Sequence, residues 1–199
     1  MAKSIGIDLG TIYTKIAVWD DRRQQAVIIP NRYGMGITPS VVGLDEAGEV
    51  VVGMEAERSA FLRPAHTVQY IKRELGDDCR VTLGDRVYDP PTLTAFILKY
   101  LKASAEDYLG EPVCDAVIAI PAVSDVRHLA AFREAGRLAG LHVHRLVADT
   151  TAAAIALKLR FGGAEVCGPA LLVDLGGGMV SVSAVDLADD CIAVVGTGG

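Results

Sequence analysis

Cysteine is scarce in this 199-residue chain: Cys79, Cys114, Cys167 and Cys191 are the only four, and none stands in CxxC spacing. That excludes a disulfide framework and the usual structural zinc patterns, and the four read as reduced thiols of a cytoplasmic protein. Histidine is equally rare. His66, His128, His142 and His144 form no ligand cluster by spacing, and His142 and His144, alternating on one predicted strand, read as an exposed face. No apolar run approaches the ~20 residues of a membrane helix, so no membrane partner is expected. The opening MAKSIGIDLG enters a strand directly and lacks signal-peptide architecture. An excess of positive charge is missing too. The formal net charge is −6 and the basic residues are scattered, which argues against nucleic acid as a partner. Hydrophobic residues at 51% and charged residues at 22% are the balance of a globular chain, long enough for one large domain or two small ones.

Two stretches look like copies of one device: SIGIDLGTIYTKIAVWD, residues 4–20, and ALLVDLGGGMVSVSAVDL, residues 170–187. Each reads as an apolar strand ending in Asp-Leu-Gly, a tight turn and a second apolar strand. Glycine at such a turn permits positive φ and lets backbone N–H groups point outward as an anion cradle. An Asp at the end of a buried strand is costly unless it meets a cation or donors. Asp8 and Asp174 beside glycine-rich turns therefore suggest a metal-phosphate site, and two facing hairpins could hold a polyphosphate from both sides.

Between them the pattern predicts strands over 26–30 and 41–44, a turn at 45–48, a helix over 55–62, a short helix over 68–75 carrying Lys72, and a hairpin over 81–88. Thr92 is expected to cap a long helix, with Leu93, Phe96, Ile97, Tyr100, Leu101 and Tyr108 on one stripe and Gly110 as its stop. Residues 114–120 form an apolar run expected to be buried on both faces. Ser124 is expected to cap a second helix ended by Gly140, followed by a strand over 143–147 and a helix over 150–161. The alanines of that last helix predict very close packing. Residues 162–169 read as a linker, and 191–195 as a last strand. The order implies a mixed α/β sheet, with residues 39–90 as a candidate insertion.

IGIDLGT, ITPSVV, YIKRELG, AEDYLGEPVCDAVIAIPA, AGRLAGL and VDLGGG, in that order, resemble the Hsp70 (DnaK-type) chaperone ATPase domain, within the actin/sugar-kinase/Hsp70 superfamily. VIIPNRYGMGITPS is similar to its HscC-like branch. The resemblance runs along essentially the whole chain and implies an α/β actin-like ATPase fold, with a ribonuclease H-like mixed sheet, helices and a small inserted α+β subdomain. Residues 1–38 and 91–165 would be the core of lobe I, 39–90 the insertion, and 166–199 the opening strands of an incomplete lobe II. The chain would correspond to the first half of the family's ATPase domain, with the adenosine-binding segment outside it. This chain alone is therefore expected to bind ATP weakly.

The resemblance implies ATP or ADP with Mg²⁺ as cofactors, ATP hydrolysis as activity, and protein folding under stress as the setting. It also implies a J-domain co-chaperone, a nucleotide-exchange factor and unfolded client polypeptides as partners. Asp8 and Asp174 would hold Mg²⁺; Gly10, Thr11 and Ile12, with Gly176, Gly177 and Gly178, would cradle the phosphates. Lys72 matches a lysine that reaches the γ-phosphate and the attacking water; without the match it is a solvated helix lysine, and Arg73 beside it is an equal candidate. Asp149 stands where the family has Glu, one methylene longer, and a helix cap is the other reading of it. Pro121 matches a family proline that couples nucleotide state to the distal domain, or simply ends a strand. Ile12 and Met179 stand where the family has Thr, Ser181 where it has Asp, and Thr150 where it has Pro. Three readings follow: an active chaperone ATPase, a hydrolysis-impaired nucleotide-binding or interaction module, and an actin-like filament protein, which ITPSVV and AEDYLGEP disfavour.

Overall fold

The computed structural model describes residues 3–161, 166–188 and 191–199. The predicted first hairpin forms from β1 (Ser4–Leu9) and β2 (Tyr13–Asp20), and β3 (Gln25–Ile28) continues the meander. After β4 (Thr38–Pro39), which pairs with β2, come β5 (Val41–Leu44), β6 (Val50–Val52), α1 (Met54–Ala60) and β7 (Thr67–Gln69). These strands make a separate sheet in the order β6-β5-β7, and β8 (Val81–Leu83) with β9 (Arg86–Tyr88) makes a small hairpin. Then follow α2 (Pro90–Leu109), β10 (Asp115–Ile120), α3 (Val126–Leu138), β11 (His142–Ala148) and α4 (Asp149–Phe161). The chain closes with β12 (Gly168–Leu175), β13 (Val180–Leu187) and β14 (Ile192–Gly198), an antiparallel sheet of its own.

The main sheet runs β11-β10-β1-β2-β3, parallel where β1, β10 and β11 meet and antiparallel beyond β1. This is the mixed sheet with helices that the sequence predicts. Period-two patterning sets its faces. Ile5, Ile7 and Leu9 of β1, Ile16 and Val18 of β2, and Ala116, Ile118 and Ile120 of β10 all point one way. They share one buried cluster with Leu93, Ile97, Leu98 and Leu101 of α2 and with Phe132 and Ala135 of α3. Each Å² of apolar surface that this layer removes from water contributes roughly 25 cal/mol.

Several local expectations need correction. Residues 114–120 are not buried on both faces: β10 alternates, because α2 and α3 cover one side of the sheet and α4 reaches only part of the other. The other side is an open apolar groove of about 660 Å³, reaching from Trp19 and Ile28 to Val117 and to Ile155 and Ala156 of α4. The alanines of α4 accordingly pack less closely than expected. Ala154 is buried with Val185 and Leu187, while Ala152 and Ala156 face the groove. Thr92 does not cap α2; Asp89 does, accepting from the Thr92 N–H at 2.8 Å. Pro90 and Pro91 fill the first turn, where a missing N–H costs nothing. Asp125, not Ser124, caps α3, since the Ser124 hydroxyl turns back to the Pro121 carbonyl at 2.8 Å. Gly110 (φ +69) and Gly140 (φ +71) end their helices in the left-handed conformation that glycine tolerates.

The helix expected over 68–75 is instead β7 followed by a 3₁₀ turn, Ile71–Glu74, with left-handed Tyr70 (φ +61) between them. Sheet pairing wins there because Val68 faces Val42 in the β5–β7 ladder. The histidine pair does lie exposed on β11 as expected, with Asp115 of β10 against both His142 and His144. Part of the predicted linker, 162–165, lies outside the described residues.

Candidate functional site

The two hairpins are built alike to the residue. Leu9 pairs with Thr14 across a loop of residues 10–13, and Leu175 pairs with Val180 across residues 176–179. One step further from each loop, Asp8 faces Lys15 and Asp174 faces Ser181. The first loop is pinned from behind by Ser40. Its hydroxyl donates to the Gly10 carbonyl at 2.7 Å and shares a 2.8 Å hydrogen bond with Thr14, while its N–H donates to the Ile12 carbonyl at 2.7 Å. The second loop closes on itself through Gly176 N–H to the Met179 carbonyl, 3.0 Å.

Glycine is needed in these loops for a different reason from the one the sequence suggests. None of Gly10, Gly176, Gly177 and Gly178 adopts left-handed φ. What they lack is room. A Cβ on Gly10 would sit 2.1 Å from the Tyr13 carbonyl oxygen, and one on Gly177 would sit 2.1 Å from the Ile12 Cδ1. One on Gly178 would meet the Thr11 side chain at 2.5 Å and Arg73 Nε at 2.9 Å. The two loops face and touch each other.

Where they meet lies a cleft of about 320 Å³. Asp8, Gly10, Thr11, Ile12, Lys72, Asp149, Asp174, Gly176 and Gly177 all line it, with Ala119 and Pro121 at the end of β10. Among the expected residues, Gly178 does not line the cleft but lies beneath Thr11 and Arg73. Lys72 reaches in from the 3₁₀ turn. Burial draws its ammonium below the usual lysine range, while Asp8, Asp149 and Asp174 pull it back up. Partial burial and the like charges of Asp149 and Asp8 raise the Asp174 carboxyl, against the opposing pull of Lys72 and Lys15. Three carboxylates thus converge on two lysines, an arrangement suited to a divalent cation with a polyanion.

Asp149 opens α4 with both carboxylate oxygens engaged: one accepts from the Thr150 N–H at 2.7 Å, the other from the Ser181 hydroxyl at 3.2 Å. Behind it, the Thr150 and Ser183 hydroxyls share a buried hydrogen bond of 2.7 Å. Lys15, Ser40 and Tyr13 are site neighbours that the sequence reading did not single out. For Lys15 a signal existed, because a four-residue loop places residue 15 opposite residue 8. Arg73 stacks over the Tyr70 ring, 5.8 Å from its centroid, at the rim beside Gly178.

Comparison with known proteins bears on this geometry. The family described as "Hsp70 protein" matches residues 4–82 and 76–199. The chain is 43% identical over 195 residues to "Chaperone protein DnaK" of Thermotoga neapolitana, covering 98% of this chain and 32% of that protein. Proteins of the same description from Thermotoga petrophila and Thermotoga maritima are 42% identical over 195 residues, with the same coverage. The chain spans about a third of the length of these relatives.

Proposed function

The chain belongs to the Hsp70 family, and from that premise we propose that it is the N-terminal part of a chaperone ATPase domain that binds Mg-ATP phosphates between its two Asp-Leu-Gly hairpins. The observation that carries this reading is the pair of equal loops meeting over one cleft with Asp8, Asp174, Asp149 and Lys72 on its walls. In this reading residues 1–38 and 91–165 are the core of lobe I, 39–90 an insertion, and 166–199 the start of lobe II.

The residues present fit Mg²⁺: burial and the like charges of Asp149 and Asp8 raise Asp174, and a divalent cation would offset both. When bound, Mg²⁺ would neutralise charge on the phosphates. Asp8 and Asp174 would hold it, directly or through water, since Mg²⁺ takes few carboxylates and keeps several waters. The remaining work falls to this chain's own groups. Backbone N–H groups of Gly10, Thr11, Ile12 and Gly177 would cradle phosphate oxygens, whereas the Gly176 N–H is committed to the Met179 carbonyl and Gly178 lies off the cleft. Lys72 offsets charge that develops as water attacks the γ-phosphorus and the bond to the ADP oxygen breaks. Asp149 orients that water. The wider setting is a cytoplasmic chaperone cycle with a J-domain co-chaperone, a nucleotide-exchange factor and unfolded clients.

A second reading has its own support. Ile12 and Met179 bring no hydroxyl to the cleft, and Ser181 holds Asp149 where two carboxylates would otherwise face each other. These favour retained binding with slowed hydrolysis. Phosphate release from the full natural polypeptide, beside calorimetry with Mg-ATP, separates the readings. Turnover at ordinary family rates removes the second, and absence of Mg-ATP binding removes both. If reach limits the reaction, Asp149→Glu should raise turnover by on the order of 10–100-fold, because a ~1 Å misplacement costs about that much.

A further inference from the structure

We propose that Asp115, His142 and His144 form a binding site for a divalent transition-metal ion of the zinc–nickel–copper class, separate from the phosphate cleft. Asp115 and His142 open neighbouring parallel strands and stand in register, fixed by the His142 N–H donating to the Cys114 carbonyl at 2.7 Å. A bulge follows. Ala116 pairs with Val143 and Val117 with Arg145, so His144 is the extra residue, without a cross-strand partner. Bulges re-aim side chains, and here the result is convergence. His144 Nε2 lies 2.8 Å and His142 Nδ1 3.3 Å from the same Asp115 oxygen, and the two imidazole centroids are 4.3 Å apart. One ligand atom from each of the three lies within 4.8 Å of the other two.

Ligands about 2.0–2.2 Å from a tetrahedral ion stand roughly 3.4 Å from one another, so closing the set takes a movement of about 1 Å. Side chains that are 71% and 50% exposed can make that movement at little cost. Two imidazoles and one carboxylate suit zinc, nickel or copper, whereas Mg²⁺ and Ca²⁺ prefer oxygen alone. Three protein ligands leave a coordination position open to water or to a further ligand. The site is independent of the nucleotide. In the β1–β10 ladder Ser4 pairs with Asp115 and Asp8 with Ala119, so it lies about 13 Å along the strands from the cleft. Without an ion, the alternative is two imidazoles sharing one surface carboxylate.

The test is calorimetric titration of Zn²⁺ into the full polypeptide without an affinity tag or nucleotide, in excess Mg²⁺ to occupy the cleft carboxylates. The unaltered protein should bind one more Zn²⁺ than His142→Ala/His144→Ala. The single variant His144→Gln should weaken that site by at least about 10-fold, since loss of even an outer-shell partner costs 10–100-fold. Co²⁺ should show ligand-field absorption that the double variant lacks. Identical zinc isotherms and Co²⁺ spectra for the unaltered protein and either variant, with unchanged circular dichroism, would overturn the site.

Discussion

Burial and charge pull Lys72 in opposite directions. Burial lowers its affinity for a proton, and three carboxylates restore part of it. The folded chain therefore releases this proton more readily than the unfolded one. Lys72 costs stability at neutral pH, and the cost fades as pH rises from its lowered value toward the ordinary ~10.4. Lys72→Met should leave Mg-ATP binding measurable but cut phosphate release by about 10²–10³-fold, as loss of a preorganised charge-stabilising group does. Single-turnover assays would check it. Asp174 has the opposite sign. Its raised pKa favours the fold at low pH, and that contribution is lost as pH climbs from the ordinary value of 3.8 through the raised one. Asp174→Asn should abolish Mg²⁺-dependent nucleotide binding while leaving the melting temperature unchanged or higher by a few degrees, the discount being that Asp174 is exposed. In the unaltered protein, Mg²⁺ binding should release more protons just above pH 3.8, where the raised Asp174 still holds its proton, than at pH 7, read by calorimetry in buffers of different ionisation enthalpy.

At the scale of elements, the facing loops depend on side chains that glycine omits. Gly177→Ala should push Ile12 aside and weaken Mg-nucleotide binding by on the order of 10-fold, and Ile12→Ala in the same chain should restore it, because the clash is with the tip of that side chain. Binding titrations of the single and double variants would measure the coupling. The hairpins were legible because each is a local event, written twice as Asp-Leu-Gly between alternating apolar residues. The open face of β10, the strand at Val68 and the role of Ser40 were not, because each depends on a partner far away in sequence. Ser40 binds Gly10 across 30 positions, and Val68 answers to Val42. The caps failed for a smaller reason. Asp89 and Asp125 each stand one to three residues from a rival Thr or Ser, and spacing alone cannot rank them. Asp115 and its two histidines are 27 or more positions apart, joined only by strand order and a bulge.

For the molecule as a whole, the notable surface is apolar and open. One face of the main sheet is covered only in part, by α4, and β12 leaves Leu171, Val173 and Leu175 at 66%, 52% and 76% exposure. β12 also lies at one edge of its sheet, a template for a further strand. This 199-residue chain by itself should self-associate as its concentration rises, with sedimentation mass above the 21.0 kDa monomer. Leu171→Lys with Val173→Lys should return it to the monomer.

α4 has a mechanical consequence. Thirteen residues long, it spans about 20 Å. Its first residue stands in the cleft between the hairpins, and Thr150 and Ala154 fasten it to the second sheet through Ser183, Val185 and Leu187. It is a lever arm with its short end among the charges. A tilt of about 10° swings the far end by about 3 Å, and any swing of the second sheet drags Asp149 with it. A displacement at one end of the helix would thus be felt at the other.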